Sequence, residues 1–162
     1  MIVVSNTTPL IGLASIGQFD LIQQIFGEIY IPKAVYDEAV VAGREKGGAK
    51  SEVSGSVWIK TIDVKDRIAV EVLLDELDLG EAEAIVLARE LEADWVLMDE
   101  KKGRRKLAQL EIRKIGTIGI LLKAKEMGFI ETIRKDLDQL REKGFSISQF
   151  VVDAVLVQAK ET

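Results

Sequence analysis

The chain has 162 residues, 48% of them hydrophobic and 30% charged, with a formal net charge of −5 at pH 7. This size supports one domain with a sizeable core, and the composition excludes a disordered or low-complexity chain. Cysteine and histidine are both absent, which removes disulfides, thiol nucleophiles, Ser-His-Asp triads and metals held by sulfur or imidazole. Any catalysis must run on carboxylates, hydroxyls, amines or a metal held by oxygen.

The first charged side chain is Asp20. No Lys or Arg precedes the apolar run, and Ser5-Asn6-Thr7-Thr8-Pro9 interrupts it, which argues against a signal peptide or membrane span. The expectation is a soluble, cytoplasmic protein. In chain order, Ile2-Val3-Val4 reads as a buried strand. Thr7 or Thr8 can cap a helix with Pro9 at its first position, continuing over 10–16. Helical spacing over 19–26 stops at Gly27, 28–31 reads as a strand, and Pro32 opens a helix over 33–42. Residues 43–56, with four glycines, read as a loop. A strand over 58–64 follows, then helices over 67–77 and 80–92. Trp95-Val96-Leu97-Met98 is a buried strand ending at Asp99. A helix over 101–110, a strand over 112–115 and a helix over 117–127 come next. Helices over 130–143 and 147–159 close the chain.

Strands alternating with helices predict a single α/β domain over 1–162, with a central parallel sheet between two helical layers. The C-terminal helices begin at about residue 130. Ligands in such sheets bind at the carboxyl ends of the strands. That rule selects the residues after Val4, the helix after Ile31, and Asp99.

Most of the 27 acids must be solvated, so those on apolar stripes or at strand ends are the informative ones. Glu81 sits at a helix start, where the dipole favours an acid, but it shares a stripe with Ile85 and Ala88. Glu83 lies on another side of that helix, with Leu87 and Glu90. Glu38 falls among Ala34, Val35, Val41 and Ala42, with Asp37 as its rival. Asp99 is either a strand-terminating turn residue or a site residue. From Asp75 to Glu100 there are ten acids and one base, and the next six residues carry five bases. Lys101, Lys102, Arg104 and Arg105 therefore suit either an exposed helix face or a phosphate-binding rim beside an acidic pocket. The Ser5-Asn6-Thr7-Thr8 turn can cap a helix or ligate a hard cation or phosphate.

Several of these segments resemble PIN-domain proteins. The opening Val3-Val4-Ser5-Asn6-Thr7-Thr8-Pro9-Leu10-Ile11 is similar to the family's strand running into Asp-Thr/Ser-Ser. The resemblance continues through Ile31-Pro32-Lys33-Ala34-Val35-Tyr36-Asp37-Glu38, Leu79-Gly80-Glu81-Ala82-Glu83-Ala84-Ile85, Val96-Leu97-Met98-Asp99 and Gly116-Thr117-Ile118-Gly119-Ile120-Leu121-Leu122, in the family's order. The nearest likeness is to short prokaryotic PIN proteins related to VapC-type toxins. The resemblance implies an acidic pocket holding Mg²⁺ or Mn²⁺, hydrolysis of RNA phosphodiesters, a homodimer, and a protein antitoxin as partner. Its acidic positions carry over onto Asn6, Glu38, Glu81 and Asp99 as metal ligands, the last three also as catalytic residues. Glu83 is the alternative to Glu81. The chain departs from the pattern at Asn6, where Asp is usual, and at Leu97, where a hydroxyl residue is usual.

Oxygen-only ligands also suit Mg²⁺ or Mn²⁺ and disfavour zinc on chemical grounds. The four positions are expected to converge at one edge of the sheet. Two further readings stand beside the ribonuclease. One is a PIN-fold module that binds nucleic acid or protein with weak or no catalysis, favoured by Asn6. The other is a receiver-like domain, disfavoured because Ser5-Asn6 stands where an acid pair is needed. The apolar residues of segment 10–26 and of the late helices exceed what one face against the sheet needs, which adds to the expectation of a homodimer.

Overall fold

The strands order themselves by apolarity. β1 (Val3–Ser5), β2 (Ile29–Pro32) and β4 (Trp95–Leu97) are buried almost throughout, while β3 (Ile59–Ile62) and β5 (Arg113–Ile115) are partly exposed. Near-continuous apolar strands belong in the middle of a parallel sheet covered on both faces. A computed structural model, which describes residues 1–41 and 49–162, has this arrangement: one sheet in the order β3-β2-β1-β4-β5, every pair parallel.

Alternation along the strands builds two cores. Val3, Ile29, Ile31 and Leu97 face one layer, made by α1 (Thr7–Ser15), α2 (Asp20–Phe26), α8 (Thr117–Glu126), α9 (Arg134–Glu142) and α10 (Gln149–Gln158). Val4, Val96 and Met98 face the other, made by α5 (Arg67–Leu73), α6 (Leu79–Glu90) and α7 (Lys101–Gln109). The chain is therefore an α/β domain of three layers. No helix among the described residues is long and apolar enough to cross a membrane. Leu10, Leu13, Leu21, Ile22 and Phe26 are covered within the chain, in one cluster with Leu137, Leu140, Val152 and Leu156. The apolar surplus of segment 10–26 is thus absorbed by the late helices.

Three local readings need correction. First, α1 begins at Thr7, so Pro9 is its third residue and Asn6 stands in the capping position. The Thr7 and Thr8 hydroxyls are taken by Glu38 and Glu100, not by the helix end. Second, the helix after β2 is α-helical only over α3 (Lys33–Tyr36) and widens into a π-turn over Asp37–Val41. Such turns occur often at functional sites, and this one carries Glu38. Third, the loop expected over 43–56 contains a helix, α4 (Lys50–Gly55), whose Val53 is buried in the core. Residue 42 of the predicted helix and 43–48 of the predicted loop lie outside the described residues.

β1 lies between β2 and β4. The chain leaves β1 towards β2 and β3, then returns to the other side of β1 for β4 and β5. The crevice between the carboxyl ends of β1 and β4 is thus the topological switch point, where open parallel sheets bind ligands.

Candidate metal centre at the switch point

Asn6 follows β1 directly, and its amide extends the ladder by donating to Leu97 O at 2.9 Å. The Asn6 side chain is buried, with only 2% of the residue exposed. Its Nδ2 donates to Glu100 Oε2 at 3.2 Å and to Met98 Sδ at 3.5 Å. Its Oδ1 is buried and accepts no hydrogen bond, the one such side-chain atom among the described residues. Buried acceptors are almost always satisfied in folded proteins, so this oxygen is available as a ligand atom.

Asp99 follows β4 by two residues and reaches over to the start of α8. Its Oδ1 accepts from Thr117 N at 2.8 Å and its Oδ2 from Thr117 Oγ1 at 2.7 Å. A Cβ on Gly116 would stand 2.6 Å from Asp99 Oδ1, so only glycine leaves room for this carboxylate. Arg104 lies beside it, donating from Nη1 to Met98 O at 3.0 Å. Glu38 is held by Thr7 Oγ1, which donates to Oε2 at 2.6 Å. It packs over Gly80 so closely that a Cβ there would overlap the carboxylate. Its rival Asp37 faces solvent and pairs loosely with Lys33 at 3.5 Å.

The two acids of α6 part company. Glu81 is buried and closes a capping box: Oε1 accepts from Asp78 N at 2.9 Å, and Asp78 Oδ1 accepts from Glu81 N at 2.8 Å. Glu83 is buried too, but it accepts from Ala34 N at 3.0 Å and from Arg67 Nη1 at 2.8 Å. Both its oxygens are engaged in tying α3 and α5 to α6.

Burial is the largest cause raising the carboxyl pKa of Glu38, Glu81 and Asp99 above the ordinary value. The negative charge of Glu100 raises all three, and that of Asp78 raises Glu38 and Glu81. Hydrogen bonds from Thr7 and Thr117, and the positive charge of Arg104 near Asp99, work in the opposite direction. Glu100 is therefore common to the field of all three acids. It is a site residue that the sequence reading missed; its signal was adjacency to Asp99 at the carboxyl end of β4. Thr7, Asp78 and Thr117 were missed as the side chains that hold the acids.

The acids share one field, yet among the described residues no three of them stand close enough to hold a metal ion by themselves. The donor set nevertheless fits a hard divalent cation: carboxylates, hydroxyls and an unsatisfied carboxamide oxygen, with no nitrogen or sulfur ligand. Of the basic run, Lys101, Lys102 and Arg105 are exposed on α7. Lys106 pairs with Glu76 at 3.1 Å, and Lys102 and Arg105 also lower the pKa of Glu76. Arg104 alone of these bases turns back towards Asp99.

The three-layer parallel α/β domain, with Asn6 and Asp99 following β1 and β4 at its switch point, is consistent with a PIN-like, nuclease-type fold. The chain belongs to the PIN-domain family DUF3368, whose family model matches residues 2–161. No curated protein matches the chain. PIN domains generally use divalent metals.

Proposed function

We propose that the protein is a metal-dependent ribonuclease that hydrolyses RNA phosphodiester bonds at the β1–β4 crevice. The observation that carries this reading is the buried, unpartnered Oδ1 of Asn6 at the carboxyl end of β1. An unsatisfied oxygen and carboxylates in the negative field of Glu100 both gain from a cation. Asn6, Glu38, Glu81 and Asp99 would hold Mg²⁺ or Mn²⁺. The ion, when bound, supplies an acidified water and neutralises charge on the phosphate.

The chain's own residues do the rest. Thr7 and Thr117 fix the orientation of Glu38 and Asp99 through hydroxyl hydrogen bonds. Glu38, Glu81 and Asp99, the proposed catalytic carboxylates, can take a proton from water because burial has made them better bases than free carboxylates. Lys101, Lys102 and Arg105 offer cations to RNA phosphates from the exposed side of α7, while Arg104 stays beside Asp99. A protein antitoxin and a second copy of the chain are the partners in the same proposal.

One observation favours a second reading, an RNA- or protein-binding PIN module with weak catalysis. Asn6 brings no charge, and no group of three acids is close enough to hold a metal ion among the described residues. The test is a thermal melt with and without Mn²⁺ beside a cleavage assay on single-stranded RNA, for wild type, Glu38→Gln and Asp99→Asn. The ribonuclease reading expects a Mn²⁺-dependent rise in midpoint and cleavage, both reduced in the variants. RNA binding without Mn²⁺ dependence or cleavage would leave the binding module.

A further inference from the structure

We infer that Glu100 is a positioning residue for Asn6, holding its carboxamide in the one flip that leaves Oδ1 free as a ligand oxygen. The inference rests on the metal-centre reading above and adds a residue to it.

An Asn in a helix-capping position ordinarily turns its side-chain oxygen to the helix N–H groups. Asn6 has the extended backbone of such a cap, with φ −84° and ψ 175°, yet makes no side-chain cap. The reason lies across the switch point. Glu100 Oε2 accepts from Asn6 Nδ2, and Glu100 Oε1 accepts from Thr8 Oγ1 at 2.5 Å. Reversing the amide would set Oδ1 against a carboxylate, acceptor against acceptor. Glu100 thus fixes which edge of the amide is the donor edge, and Oδ1 is left without a partner. Glu100 also stands in the capping position of α7 without capping it. Two residues at helix starts forgo their own helices to bind each other, 94 positions apart in sequence.

With both oxygens engaged by donors, Glu100 acts through Asn6. The pair is matched: a neutral amide at 6 and a carboxylate at 100. Ionised carboxylates at 6 and 100 would stand at hydrogen-bond distance as like charges. Restoring the family's usual acid by Asn6→Asp alone therefore works against the metal-free fold, whereas Asn6→Asp with Glu100→Gln re-forms the bond with its polarity reversed.

The experiment measures metal-free melting midpoints and Mn²⁺ affinity by calorimetry. The proteins are wild type, Glu100→Gln, Glu100→Ala, Asn6→Asp, Asn6→Asp/Glu100→Gln and Asn6→Asp/Glu100→Ala. Glu100→Gln, whose amide can also donate and so permits the reversed Asn6 carboxamide, and Glu100→Ala, which removes the partner, should each weaken Mn²⁺ affinity about ten- to a hundredfold, the usual effect of losing an orienting partner. In the Asn6→Asp background, whose carboxylate has no wrong flip, Glu100→Ala should no longer weaken Mn²⁺ binding. Without metal, Asn6→Asp should lower the midpoint and the added Glu100→Gln should recover it. Unchanged Mn²⁺ affinity in Glu100→Gln or Glu100→Ala, or the same Ala loss in both backgrounds, would overturn the inference. If wild type binds no Mn²⁺, the ribonuclease reading fails, and the metal-free midpoints decide the pairing: additive effects of Asn6→Asp and Glu100→Gln overturn it, recovery supports it.

Discussion

Gly80→Ala tests whether the Glu38 carboxylate has to sit over the first turn of α6. Gly80 is the second residue of that helix, and in a helix interior Ala is favoured over Gly by about 1 kcal/mol. By propensity alone the substitution stabilises. Against this, the new Cβ would stand 2.9 Å from Glu38 Cδ and Oε2 and closer still to Oε1. The carboxylate must move, and it loses the 2.6 Å bond from Thr7 Oγ1. A hydrogen bond to a charged group is worth about 1.5–3 kcal/mol. The expected net effect is a loss of about 0.5–2 kcal/mol, with Mn²⁺ affinity falling about tenfold as a ligand leaves its place. Gly55→Ala is the control, because a Cβ there meets nothing within 4 Å. Urea denaturation and calorimetric Mn²⁺ titration read both quantities. In a Thr7→Val background the stability penalty should shrink, since the bond is already gone. A Gly80→Ala protein that is more stable than wild type and binds Mn²⁺ equally well would refute the reasoning.

Glu83→Ala should cost about 1–3 kcal/mol in urea melts, because Ala34 N is left without its buried acceptor; Mn²⁺ affinity should stay unchanged, and a fall would put Glu83 in the metal site. The pH dependence has a definite sign. Burial raises the Glu38 carboxyl above its ordinary value, so between the unfolded and folded pKa values the folded state binds more protons than the unfolded state, and this group's contribution to stability declines as pH rises. Glu38→Gln, which stays neutral, should therefore gain on metal-free wild type in melts run from about pH 4 to 7; a constant gap would contradict the raised value. Lys102→Ala and Arg105→Ala should each weaken binding of single-stranded RNA and reduce the salt slope by about 0.7 for each phosphate no longer neutralised, leaving Mn²⁺ affinity as it was.

The sheet and its helices were legible because strand burial and helical periodicity are written in the apolar pattern. For the candidate site, the rule for strand ends selected the residues after Val4, the helix carrying Glu38, and Asp99, and each of these follows its strand in the fold. On α6 periodicity could not separate Glu81 from Glu83, because Gly80 to Ala88 are buried all round. The Asp78-x-x-Glu81 capping box was present in the sequence and assigns Glu81 its orientation. Helix α4 was hidden by its one glycine and two serines and by the glycines before it in sequence, though Val53 anchors it in the core. Glu100 fell between the strand ending at Asp99 and the helix expected over 101–110. Its role depends on a partner beyond another strand, which no local pattern reveals.

The placing of β1 between β2 and β4 also orders events in time. The strand made first is central, and its second neighbour lies far along the chain, as the Val3–Trp95 register records. Closing so long a loop is entropically costly and slow compared with pairing β1 to β2. Asp99 acquires its hydrogen bonds only when Thr117 has joined as well. A chain emerging from the ribosome can thus pair β1, β2 and β3 while the switch-point crevice does not yet exist. The half of the site built on Thr7 and Glu38 can form within that first portion, whereas the half built on Asp99, Glu100 and Thr117 waits for the second.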